Sequence, residues 1–151
     1  MPRRFPLQLL LDLANERVDA AAQRMARLKL RWQSQEDKLQ QLFAYQDEYR
    51  QRLADALTQG VEMLRMRDFQ VFLKKLDLAI RQQKIEVQHA QLGWEECQRA
   101  WLEERRKLKS FDILRQRHLR GETQREYRLE QRDQDEFARN SFNRSRDQKD
   151  E

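Results

Sequence analysis

Helix breakers and turn formers are scarce: the 151 residues include 3 Gly and 2 Pro, and both prolines fall among the first six positions. Many-stranded sheets take such residues at their turns, and bundles of short helices take them as stops, so neither architecture fits. The single cysteine, Cys97, excludes an intramolecular disulfide and a multi-cysteine zinc site, and points to a reducing compartment. The two histidines offer no metal pair, because His89 stands eight residues from Cys97 and His118 lies far from both. Glycines at 60, 93 and 121 are too dispersed for a phosphate-cradling loop. Long apolar runs are missing too. Arg3 and Arg4 precede Leu7, Leu9, Leu10 and Leu11, but Gln8 and Asp12 interrupt the run and no small-residue cleavage site follows, so neither a signal peptide nor a membrane span is expected.

What the chain has in excess is charge. Lys and Arg number 31 against 26 Asp and Glu, and together they make up 38% of the residues, where an ordinary globular domain carries roughly 25%. The remainder is rich in Ala, Leu and Gln, all strong helix formers. Counting in sevens gives Leu11, Val18, Met25, Trp32, Leu39, Gln46 and Leu53 as one series, and Ala14, Ala21, Leu28, Gln35, Leu42, Tyr49 and Ala56 as another. Twelve of these 14 are apolar, where composition alone would place about five. The repeat lapses around Thr58, Gln59 and Gly60 and resumes in a new phase. Leu73, Ile80, Val87, Trp94, Trp101, Leu108 and Arg115 run alongside Leu76, Gln83, Ala90, Cys97, Glu104, Phe111 and His118, with ten of 14 apolar. A strict repeat of seven predicts a left-handed supercoil.

Two seams of about 75 Å each, at ~1.5 Å per residue, joined by a short linker, predict that the chain supplies its own partner. The expected fold is all-α: a long antiparallel two-helix coiled-coil hairpin with a C-terminal helical overhang and a frayed tail. The hairpin is expected over 1–120, with helices over about 7–57 and 69–120 and a linker over about 58–68. The favoured register sets Trp32 against Ala90, Ala21 against Trp101, Leu28 against Trp94, Leu42 against Ile80 and Met25 against Cys97, matching large side chains with small. A slip of one heptad would place Ala14 against Arg115 and Leu11 against His118. Residues 121–151 carry 7 basic and 9 acidic side chains. Their alternating signs support a helix to about Ala138 and a disordered end from about Asn140.

Pairs such as Glu95 with Glu96 and Glu103 with Glu104 read as solvated helix faces, since a hairpin has no cleft in which to desolvate a catalytic carboxylate. No enzymatic activity, metal or cofactor is expected. The net charge of +5 raises nucleic acid as a partner class, but the arginines are dispersed among acids instead of concentrated on one arm. Weak, salt-sensitive binding is therefore the alternative, without sequence-specific recognition. The aromatics are more specific. Tyr45 and Phe72 sit beside the seam, where a two-stranded coil covers them only partly. With Leu42, Tyr49, Phe69, Leu76 and Ala79 they form an apolar stripe near the hairpin turn, a candidate docking site. Local packing of Tyr45 onto Phe72 is the competing reading.

Three stretches resemble the flagellar export protein FliJ family, soluble components of the flagellar type III secretion apparatus. These are Leu10–Ala14 with Ala20–Ala22, Leu39–Leu42 with Tyr45 and Tyr49, and Gly60 followed by Phe69, Phe72, Leu73, Leu76, Ala79, Ile80 and Gln83. The resemblance implies a small cytoplasmic, non-enzymatic stalk, peripheral to the inner membrane at the flagellar base. Its partners would be the hexameric export ATPase, whose central hole the terminal helices enter, the cytoplasmic domain of the export gate, the ATPase regulator and export chaperones. The family's gate-binding patch corresponds to Leu42, Tyr45, Tyr49, Phe72, Leu76 and Ala79, with Lys38 and Gln83 departing from its usual polar margin. Arg3, Arg4, Arg17, Arg24, Arg105 and Arg106 are the candidates for the ATPase ring. A structural tether, or the equivalent stalk of a virulence secretion system, is the alternative within this class.

Overall fold

A computed structural model describes residues 2–150, and all regular structure among them is helical. Helix α1 spans Gln8–Gln59 and helix α2 spans Met63–Lys149. The turn between them is only Gly60, Val61 and Glu62, shorter than the 58–68 segment expected. Gly60 carries a φ of 80°, the left-handed conformation that ends a helix at little cost only for glycine. The Glu62 carbonyl then accepts from the Arg65 and Met66 N–H groups at 3.1 and 3.2 Å, so α2 starts at Met63 instead of near residue 69.

At the other end α2 continues beyond Ala138, the expected end of the helix, to Lys149. Bonds between neighbouring turns accompany it. Thr123 Oγ1 donates to the Leu119 carbonyl at 2.9 Å and Gln131 Nε2 to the Tyr127 hydroxyl at 3.2 Å. Arg146 and Lys149 lie in the last turn, where cations complement the helix dipole.

The helices form two compact units, Val18–Glu104 and Met1–Arg17 with Arg105–Glu151. In the first, every seam position in both heptad series is buried or half-buried. Leu76, Ile80, Cys97 and Gln46 are its buried residues. The rest are half-covered, as a two-stranded coil without a third layer requires. The polar interruptions of the seam pair across it. Gln83 Nε2 donates to the Gln35 carbonyl at 2.9 Å and to the Gln35 side-chain oxygen at 2.7 Å. Gln46 Nε2 donates to an Asp77 carboxylate oxygen. These pairs agree with the favoured register; a slip of one heptad would bring Gln35 against Trp94.

The tryptophans depart from expectation in detail. Trp32 and Trp94, set against Ala90 and Leu28 in the favoured register, lean on each other, with ring centroids 5.5 Å apart at 35°. Lys29 Nζ stands 5.6 Å from the Trp94 ring centroid. A cleft of ≈ 140 Å³ lies nearby, lined in part by Leu28, Ala90 and Gly93. Among the described residues the buried Trp32 indole N–H has no acceptor.

In the second unit, Leu11 and Ala14 are buried, Leu108 and Phe111 are half-buried, and Arg115 is exposed. His118 belongs to the same seam series, and the segment ahead of α1 covers it. The Phe5 ring lies 5.7 Å from the imidazole at 49°, and His118 Nε2 lies 2.9 Å from the Arg3 carbonyl oxygen. The Arg3 backbone N–H donates to Glu122 Oε2 at 3.3 Å.

Candidate functional site

The apolar stripe lies in the unit Val18–Glu104, close to the turn. Heptad phase places Leu42, Tyr49 and Leu76 on the seam, and Tyr45, Phe72 and Ala79 on its shoulder. Leu76 is buried, Leu42 and Tyr49 are half-buried, and Ala79 is exposed. Phe72 packs on Tyr49, not Tyr45: the Tyr49 and Phe72 centroids are 4.2 Å apart at 40°. Tyr45 is left 53% exposed and Phe72 37% exposed. The shoulder therefore presents one free ring beside one that is braced from below. Geometry explains the choice, because Phe72 and Tyr49 are nearly level across the seam while Tyr45 lies one helical turn away.

The brace extends outward. The Arg52 guanidinium stands 5.2 Å from the Tyr49 ring centroid and pairs with Glu48 at 2.7 Å. This cation–π contact adds a charge beside the patch. Arg52 was not singled out from the sequence, although its three-residue spacing from Tyr49 was available. Of the polar margin, Lys38 is exposed and Gln83 is engaged with Gln35 inside the seam.

The arginines are surface residues. Arg3, Arg4, Arg17, Arg105 and Arg106 are exposed in the unit that holds the termini, and Arg24 is exposed in the other. The Arg3 backbone is held by Glu122 and His118. Among the described residues no group of three or more His, Cys, Asp and Glu is placed to hold a metal ion. No helix among them is long and apolar enough to cross a membrane.

The family model for the flagellar FliJ protein matches residues 3–147. The chain belongs to the FliJ family. A flagellar FliJ protein of Salmonella typhi is 29% identical over 138 residues, covering 91% of this chain and 94% of that protein. One from Escherichia coli (strain K12) is 30% identical over 132 residues, covering 87% and 90%. Membership makes this FliJ-family chain a component of the flagellar export apparatus, acting in flagellum biogenesis among the other proteins of that apparatus.

Proposed function

We propose that the chain is a non-enzymatic stalk of the export apparatus, linking the hexameric export ATPase to the export gate. The observation that supports this reading is the aromatic shoulder, with Tyr45 exposed and Phe72 braced on Tyr49. An exposed ring beside a pre-organised one gives a partner apolar area at little ordering cost. Leu42, Tyr45, Tyr49, Phe72, Leu76 and Ala79 are assigned to the gate's cytoplasmic domain. Arg3, Arg4, Arg17, Arg24, Arg105 and Arg106 are assigned to the ATPase ring, with the ATPase regulator and emptied export chaperones as further partners. The site of action is cytoplasmic, with inner-membrane association only through partners.

The test combines Tyr45→Ala with Phe72→Ala and measures binding to the purified gate domain, with helicity followed by circular dichroism. The expected result is retained helicity and weakened binding; undiminished binding removes the gate assignment. For the ATPase arm, the purified export ATPase is expected to turn over faster with the chain present. A salt-sensitive shift of DNA with no such stimulation would favour the nucleic-acid reading.

A further inference from the structure

A third aliphatic series runs along α2, on the side facing away from the seam. Leu64, Val71, Leu78, Ile85 and Leu92 follow one another at intervals of seven, and each is between 47% and 72% exposed. In the supercoil these are the positions opposite the core, which are normally the most polar. The corresponding positions of α1 are Gln23, Leu30, Asp37, Ala44 and Gln51, with one large aliphatic residue among five. Singly scattered apolar residues on a surface need no account. Five in strict heptad phase, about 42 Å from first to last at ~1.5 Å per residue, constitute a second seam without a partner.

The neighbouring charges select the occupant. Along Leu64–Ile85, Arg67, Lys74, Lys75 and Arg81 flank the stripe at three- and four-residue spacing, opposed by Asp68, while Glu95 and Glu96 stand at the same spacing from Leu92. None of the four basic groups takes part in an ion pair among the described residues. A second copy docked antiparallel over Leu64–Ile85 would bring Lys74 level with Lys75, and one centred on Ile85 would bring Lys75 level with Glu95. Like charges therefore disfavour a copy seated on the basic part of the stripe, and self-association over Leu78–Leu92 is an outcome that the test reads. A lipid surface is favoured by a broad apolar face with Trp or Phe along it. This ridge is one residue wide, purely aliphatic and bordered by charge.

We propose that the outer face of α2 from Leu64 to Ile85 docks an amphipathic helix of a partner protein. That helix would carry aliphatic residues at heptad spacing flanked by Glu or Asp, and would add a third strand to the coil. The proposal does not depend on the gate assignment, because Tyr45 and Tyr49 lie on α1 and Phe72 points to the Tyr49 side of α2.

A suitable probe is a fluorescent synthetic peptide of about four heptads with Leu at a and d and Glu at e and g, whose own strands repel one another. Titrated with the full chain at low ionic strength, it is expected to bind. Leu78→Gln with Ile85→Gln should weaken binding by about tenfold or more, the loss expected from two buried aliphatic side chains. The same peptide with Lys in place of Glu should bind weakly. Tyr45→Ala with Phe72→Ala should leave peptide binding unchanged, which separates this surface from the gate patch. Both exchanged positions are exposed, so the double variant should keep its circular dichroism spectrum. No binding of the acidic peptide, or equal binding by the variant, overturns the proposal. So does self-association in sedimentation, or association with vesicles of mixed zwitterionic and anionic phospholipid, that is abolished by the two substitutions.

Discussion

Gln83 reaches across the seam to Gln35 and donates to both its backbone carbonyl oxygen and its side-chain oxygen. Two residues that interrupt the apolar pattern in the linear sequence thus satisfy each other in the folded chain. Polar pairs inside a coiled-coil seam fix which residues stand opposite, at some cost in stability. Removal of one partner should therefore differ from removal of both. Gln35→Ala is expected to destabilise by about 1 kcal/mol, because the Gln83 amide loses one of its two acceptors and keeps only the residue 35 carbonyl, while Gln35→Leu with Gln83→Leu should be neutral or stabilising. Urea denaturation of the three proteins checks the order.

The same register puts residue 25 beside residue 97. Met25→Cys should form a disulfide with Cys97 under mild oxidation, since opposed seam positions bring Cβ atoms into bridging range. Preferential cross-linking to cysteines placed at 90 or 104, in a chain lacking Cys97, would show the helices to be shifted.

The three glycines should respond to alanine with opposite signs. Gly60 has a φ of 80° and nothing within 4 Å of an added Cβ, so Gly60→Ala meets backbone strain alone and should cost about 1 kcal/mol. Gly93 and Gly121 lie inside α2, also with open space around a Cβ. Each should gain roughly 0.5–1 kcal/mol as alanine, from higher helix propensity and a less flexible unfolded chain. Thermal unfolding of the three single variants distinguishes the cases.

The segment ahead of α1 should loosen without unfolding the helices when its anchor is removed. Phe5→Ala takes away the ring beside His118 and leaves the Arg3 backbone bonds to hold the segment alone. Faster tryptic cleavage after Arg3 and Arg4, with unchanged helicity, is the expected outcome.

Phe72→Ala and Tyr45→Ala should also differ in stability. Loss of the ring stacked on Tyr49 should cost about 1–2 kcal/mol. Loss of the exposed Tyr45 ring should stay within roughly 0.5 kcal/mol. Equal losses would mean that Tyr45 is packed in solution.

Much of the architecture is legible in the linear chain. Seam membership follows from counting, because a residue's face on a supercoiled helix depends only on its place in the seven-residue repeat. The apolar shoulder of Tyr45 and Phe72 follows from the same count. The outer series of Leu64, Val71, Leu78, Ile85 and Leu92 is equally countable, but its meaning depends on its exposure among the described residues. The short turn and the long C-terminal helix were less legible. Residues 58–68 and 121–149 combine good helix formers with weak apolar spacing, so no heptad phase marks where helix stops or continues there.

Composition and heptad phase determined on their own that this protein is helical, that it folds back on itself, and which side chains line its seam, since those properties depend on local geometry repeated along one chain. Tertiary structure alone decided that Phe72 rests on Tyr49, that Trp32 leans on Trp94, that Gln35 answers Gln83 and that Phe5 covers His118. These are choices among neighbours on another part of the chain, set by side-chain direction and fit across the gap, which no count along one strand contains.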